Sequence, residues 1–253
     1  MNMTNAGLNQ KKNASPYVGT SGYQYAHWKG AFYPEDIPKS RWFEHYCRHF
    51  SIVEINNTFY HLPESATFDD WRKQAPGEFR YALKFSRYGS HLKCLKDPES
   101  TIGAFMGNAE HLGQKLGPIL VQLKPNWKKN VKRLQAFLAA TPRHCRWAVE
   151  FRDPSWLCTE IYDLLRTHNA ALCIHDMIED HPREITADWM YFRMHGNHYR
   201  GSYSKQVLSG LARRISKHLD AGRDVYAFFN NDEQGYATQN AMDLKRYLQP
   251  GPN

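Results

Sequence analysis

Eight short runs of β-branched, aliphatic and aromatic residues recur along the chain at intervals of roughly 30 residues, mostly separated by stretches of helical periodicity. They are Tyr17–Gly22, Ser51–Asn56, Phe79–Phe85, Ile119–Leu123, Trp147–Phe151, Ala170–His175, Trp189–Met194 and Asp224–Phe229. The apolar character of Trp147-Ala148-Val149 and its counterparts reads as interior strands of a parallel sheet. Eight such units in 253 residues predict an α/β chain folded as a single-domain (β/α)8 TIM barrel over residues 16–250. An open doubly wound sheet is the rival. Against it, the first run lacks a dinucleotide-binding glycine fingerprint, and neither end run has the poor character of an edge strand.

Helical patterns are expected over 40–49, 97–115, 130–140, 155–168, 205–219 and 236–248, with a short helix around Phe68 and Trp71. Asp97 is the expected cap of the second, with Pro98 at its first position. Residues 57–63 and 86–95 read as loops, and 177–187 as a loop with a short turn of helix. Residues 1–15 are polar, rich in Asn and Lys, and lack the apolar centre of a signal peptide, so they read as a disordered tail. No run is long and apolar enough to cross a membrane. Five cysteines, without a Cys-x-x-Cys pair, suit buried small hydrophobes in a reducing, cytoplasmic setting rather than disulfides or a thiolate zinc cluster. Lys and Arg outnumber Asp and Glu by 33 to 25, a formal charge of +8. That excess favours anionic partners, although the basic residues are scattered and also serve solubility.

In a barrel the carboxyl ends of the strands line one mouth. There the chain places Glu54, Asn56, Lys84, Gln122, Glu150, Arg152, Asp176, Arg193, His195, Asn230 and Asp232. Strand alternation puts Glu54 with Asn56, and Glu150 with Arg152, on shared faces. Glu54, Glu150 and His195 are the candidate acid/base residues, since paired carboxylates and a histidine can divide the two roles. Lys84, Arg152 and Arg193, with Asn56, Gln122, His91, Asn230 and Asp232, are the candidate ligands of a small anionic substrate, phosphorylated or carboxylated. The competing reading is structural: charges in a barrel mouth must pair or be hydrogen-bonded, and these residues could simply satisfy one another.

No cofactor is assigned. Glu54, Glu150, His175, Asp176, His195 and Asp232 carry atoms suited to a divalent metal, but no compact metal motif occurs and the neighbouring basic side chains oppose a cation. Nucleic acid is the alternative partner, on the strength of the net charge, loop aromatics and the series Lys124, Lys128, Lys129, Lys132 and Arg133. The last four of these read better as a solvated helix face. A non-enzymatic binding barrel, its mouth plugged by Tyr23, Trp28 and Tyr60, is the third reading.

Several segments together resemble a known family. They are Gly19-Thr20-Ser21-Gly22 with Trp28-Lys29-Gly30 and Phe32-Tyr33-Pro34, Glu54-Ile55-Asn56 with Thr58-Phe59-Tyr60, Lys84 and His91, and Leu116-Gly117-Pro118-Ile119-Leu120 with Gln122-Leu123. Glu150-Phe151-Arg152 with Trp156, then Arg193, His195-Gly196 and Asn230-Asn231-Asp232, complete the series. In this order they resemble the DUF72, or YecE-like, family of uncharacterised TIM-barrel proteins, over nearly everything after residue 16. The resemblance implies a TIM barrel without a settled biochemical function. Two positions depart from the pattern: Gly89-Ser90 stand where a bulkier residue and a threonine are expected, and Lys124 where a proline is frequent.

Overall fold

The computed structural model describes residues 14–196 and 199–249. The expected tail therefore falls almost wholly outside the described residues, as do Asn197 and His198. Ser15, at its end, is already tied to the last strand: its amide donates to Asp224 Oδ1 (2.9 Å) and its carbonyl accepts from Val225 N (3.0 Å).

All eight strands form. β1 (Pro16–Thr20) leads to α1 (Trp42–His49), and β2 (Ile52–Ile55) to a one-turn α2 (Asn57–Tyr60) and then α3 (Ser65–Gln74). β3 (Arg80–Lys84) precedes α4 (Pro98–Ala109), β4 (Leu116–Gln122) precedes α5 (Val131–Ala140), and β5 (Trp147–Glu150) precedes α6 (Thr159–Thr167). β6 (Ala171–His175) reaches β7 (Trp189–Met194) through residues 176–188 without a helix. β7 then leads to α7 (Lys205–Asp220), and β8 (Asp224–Phe229) to α8 (Tyr236–Leu248). The strands run parallel in the order β1-β8-β7-β6-β5-β4-β3-β2.

The cylinder closes between β1 and β2 by unusual means. The two strands share a single bridge, Ser21 to Glu54, with Gly22 N donating to Glu54 O (2.7 Å). Below it, the Tyr46 hydroxyl of α1 stands in for a rung of the ladder: it accepts from Thr20 N (3.0 Å) and donates to Ile52 O (3.0 Å). Gly19 is obligatory there, because a Cβ would lie 2.3 Å from Ile52 O.

Strand alternation divides the core in two. Outward residues such as Val53, Leu83, Val121, Val149 and Phe192 pack under the helices. Inward residues fill the barrel: Ala82, Ala148 and Ala171 leave room for Trp189, Tyr191, Tyr226 and Phe228 opposite. One step further toward the carboxyl ends, the same inward positions turn polar, as Glu54, Lys84, Glu150, His175 and Arg193. The barrel is thus an apolar plug capped by a charged layer.

Four local expectations differ from the structure. Asp97 does not cap α4: its backbone is left-handed (φ 49°) where a cap is extended, and its carboxylate instead pairs with Lys93 Nζ (2.9 Å). The expected helix over 155–168 is a 3₁₀ turn (Pro154–Trp156) followed by α6. β4 begins at Leu116 rather than at the expected Ile119, and so includes Gly117-Pro118. The ladder to β3 shifts register between Tyr81 and Leu83, the kind of irregularity that accommodates a proline without an N–H. Finally, both expected loops after β2 and β3 wind up, the first into α2 and the second into a π-helical turn, Tyr88–Leu92.

Candidate active site at the barrel mouth

Arg193, 1% exposed at the end of β7, organises the mouth. Its Nη2 donates to Glu54 Oε1 (2.8 Å), Nε to the same oxygen (3.2 Å), and Nη1 to Glu150 Oε2 (2.6 Å). Both glutamates are fully buried. Their other contacts are also taken. Tyr191 OH donates to Glu54 Oε2 (2.6 Å), and Ser21 Oγ bonds Glu54 Oε1 and in turn accepts from Asn56 Nδ2 (2.7 Å). Glu150 Oε1 accepts from Gln122 Nε2 (2.7 Å) and pairs with Arg152 Nε. Burial alone would raise the Glu150 carboxyl, but Arg193 and Arg152 beside it hold it well below the usual carboxylate range. Burial works against the Arg193 cation in the same way, and Glu54 and Glu150 reverse it. The two guanidiniums and two carboxylates compensate one another, as a buried network must.

His195 closes this network above. Its Nδ1 lies 3.2 Å from Asp176 Oδ1, and its Nε2 faces Arg193 Nη1 (3.2 Å) and Arg152 Nη2 (3.3 Å). Two guanidinium donors require a lone pair on Nε2, which assigns the neutral Nδ1–H tautomer. Burial depresses the imidazole's basicity, Asp176 partly restores it, and Arg193 lowers it again. Asp176 also accepts from His195 N (2.9 Å), Gly196 N (3.3 Å) and the Tyr203 hydroxyl.

On the β3 side the picture changes. Lys84 is 7% exposed, yet its ammonium has no hydrogen bond or ion pair among the described residues; Nζ sits 4.1 Å from the centroid of the Phe59 ring. Burial lowers its pKa to about 8, and Arg193 adds to the effect. The His91 ring packs edge-to-face with Phe59 (centroids 4.9 Å), with Nδ1 3.0 Å from Ser90 Oγ. Burial, then the cations Lys84, Arg87, Lys124 and Arg152, push His91 down to about 4. Neither Arg87 nor Lys124 has a carboxylate partner among the described residues. Asn56 Oδ1 is buried and unpartnered as well. The mouth therefore has a compensated half, built on β2, β5 and β7, and a half with uncompensated positive charge, built on β3 and the turn that follows it.

The structure brings together Glu54, Asn56, Gln122, Glu150, Arg152, Arg193 and His195 as one network, with Lys84 and His91 beside it. Asp232 does not join: it stays at the rim, its carbonyl accepting from Trp28 Nε1 (2.9 Å) and its carboxylate 3.4 Å from His27 Nε2. Asn230 bonds Met194 O through its backbone amide (2.8 Å), and its side chain has no partner among the described residues. Ser21, Tyr191 and Tyr203 belong to the site although the sequence reading did not select them. Tyr191 lies two residues before Arg193 on the same strand face, and Ser21 falls on the inward face that Tyr17 begins in the first expected strand, so alternation was the available signal for both; Tyr203 sits in an irregular segment that carries no such register. Among the described residues no three His, Cys, Asp or Glu side chains assemble into a group that could hold a metal ion, and Arg193 occupies the space between the two glutamates. No helix among the described residues is long and apolar enough to cross a membrane.

Comparison with known proteins places this architecture. Residues 17–253 match the family model "Protein of unknown function DUF72". The UPF0759 protein YecE of Escherichia coli is 31% identical over 114 residues, 45% of this chain and 42% of YecE, so the match spans less than half of that relative. YunF of Bacillus subtilis is 23% identical across 92% of this chain and 94% of its own length. Among solved structures, a DUF72 family protein from Thermotoga maritima superposes with a TM-score of 0.83 at 30% identity, covering 92% of this chain and 99% of that one. Another from Enterococcus faecalis gives 0.79 at 20% identity, covering 94% and 97%, a likeness of fold. With the family model spanning nearly the whole barrel, the chain belongs to the DUF72 family of proteins of unknown function.

Proposed function

We propose that the mouth binds a small anion, phosphorylated or carboxylated, and acts on it by acid/base chemistry. The observation that carries this reading is Lys84: a nearly buried lysine without an anionic partner among the described residues, at the end of a barrel strand, beside a network whose own charges cancel. Leaving such a cation unpaired is costly, and an incoming carboxylate or phosphate removes the cost. Arg152, Arg87 and Lys124 extend the same positive field toward solvent.

The division of labour differs from a simple glutamate pair. Glu54 and Glu150 have their oxygens committed to Arg193, Arg152, Tyr191, Ser21 and Gln122, so their part in this proposal is to fix the arginines. His195 is held neutral between Asp176 and two guanidiniums and orients Arg152. The ring free to move a proton is His91, whose Nε2 has no partner among the described residues. An anion arriving among the cations that depress His91 raises its pKa, so substrate binding itself prepares the general acid.

Isothermal titration with inorganic phosphate and with a small dicarboxylate tests the proposal. Both wild type and Lys84→Met are titrated, with about tenfold or greater weakening expected in the variant for loss of one charge-assisted contact. If neither anion binds the wild type, or Lys84→Met binds equally well, the reading fails. Tyr60 (76% exposed), Tyr88 and Tyr199 ring the same positive mouth and favour a second reading, single-stranded nucleic acid stacked on aromatics. A short oligonucleotide whose affinity showed no salt dependence would remove it.

A further inference from the structure

The same lysine has a second property. Lys84 Nζ packs against Phe59, has no acceptor among the described residues to hold its protons, and shares its surroundings with the guanidiniums of Arg193 and Arg152. An amine that is desolvated and set beside other cations loses its proton readily and becomes a nucleophile at neutral pH. The other nucleophilic candidate in the barrel is not poised this way: the Cys173 thiol is fully buried beneath the network, and burial with Glu150 3.9 Å away pushes it well up.

Building on the anion-binding reading, we propose that Lys84 forms an imine with a carbonyl compound that carries an anionic group, a keto or aldehydo acid or its phosphorylated equivalent. The Nζ lone pair adds to the carbonyl carbon, and the C=O π pair moves to the oxygen, which takes up a proton. The resulting carbinolamine nitrogen keeps one proton; its hydroxyl takes up another and leaves as water while the nitrogen lone pair closes the C=N bond, giving an iminium that becomes the neutral imine on losing its N–H proton; amine and carbonyl become imine and water, with no change of oxidation state. His91, packed against the same Phe59 ring, relays protons between nitrogen and the departing oxygen in this scheme. Arg152 and Lys124 hold the anionic end. Asn56 Oδ1, buried without a donor among the described residues, is an acceptor for a substrate hydroxyl or for the iminium N–H.

Reductive trapping tests this. The full-length protein is treated with cyanoborohydride and glyoxylate, with glyceraldehyde 3-phosphate, or with propionaldehyde as a neutral control, and each lysine is scored by peptide mass spectrometry. Lys84 is expected to be modified at pH 7 at least about tenfold faster than the exposed Lys128, which serves as the internal reference, because burial lowers the pKa of Lys84 to about 8. Its rate should level off above pH 8. His91→Gln should slow the modification of Lys84 and leave that of Lys128 unchanged. Modification of Lys84 no faster than Lys128 with every carbonyl overturns the proposal, and phosphate binding in titration would then stand on its own. Rapid modification by propionaldehyde equal to that by glyoxylate keeps the imine and removes the anion specificity instead. A preference for glyoxylate or for the phosphorylated aldehyde identifies which anionic group the site takes.

Discussion

Lys84 holds a position that folding alone does not favour. A lysine whose pKa falls from 10.5 in the unfolded chain to about 8 in the folded one is bound less tightly by its proton in the native state. Between those values the unfolded chain carries the extra proton, so stability rises with pH across the window; below pH 8 the full cost applies, on the order of 3 kcal/mol. Lys84→Met, similar in length and free of charge, is expected to stabilise the protein by about 1–3 kcal/mol at pH 7, with the gain vanishing as pH approaches 10.5. Urea unfolding of both proteins at pH 7 and pH 10 measures it, and an unchanged or lower stability at pH 7 would contradict the argument. A residue that costs stability while serving binding marks a functional site. Much of this site was legible in the sequence, because period-two alternation places Glu54, Lys84, Glu150 and Arg193 on inward faces once the strands are known. What alternation does not reveal is who pairs with whom. Arg193 takes both glutamates and Lys84 none, a matter of side-chain reach across the barrel; Asp232, selected by the same rule, lies past its strand end, where the rule lapses.

The elements that frame the mouth divide by how strongly their sequence marks them. Buried strands such as Trp189–Met194 and amphipathic helices such as Tyr236–Leu248 announce themselves over many residues. The π-helical turn Tyr88–Leu92 spans five residues and has no period of its own. It forms because Gly89 lets the chain lie against Phe85: a Cβ there would stand 2.5 Å from the ring, and the next residue, Ser90, donates to Ser86 O (2.8 Å). A larger residue at position 89 would require a different turn. Lys124 adds a cation to the field acting on His91. Gly89→Ala would ordinarily favour helical backbone, but here the crowded ring decides, and a loss of roughly 1–3 kcal/mol is expected from overpacking. Thermal unfolding of Gly89→Ala checks it. Because the turn carries His91, weaker phosphate binding should accompany the loss; a variant as stable as wild type would mean that Phe85 yields more easily than the packing indicates.

At the scale of the whole molecule, eight strands and the apolar plug between them follow from composition and spacing, which is why the architecture was readable before any contact was known. The exceptions are the uncovered span 176–188 between β6 and β7, where weak patterning foreshadowed the missing helix, and the joint between β1 and β2, which nothing in the sequence announced. Seven strand junctions are parallel ladders, and the eighth depends on one bridge and the hydroxyl of Tyr46. Tyr46→Phe removes a single oxygen, keeps the ring packed, and leaves Thr20 N–H and Ile52 C=O buried without that partner. A cost of about 1–3 kcal/mol is expected. Hydrogen exchange would show where it falls: amides of β1 and β2 should exchange sooner in the variant while those of β5 to β7 keep their wild-type protection, and uniform loss of protection would contradict this. Glu54 and Ser21 form the bridge directly above that hydroxyl. The rim that holds Arg193 is thus also the edge of the cylinder held by the fewest backbone bonds, so a loosening of β1 from β2 would reach the Glu54–Arg193 pair first.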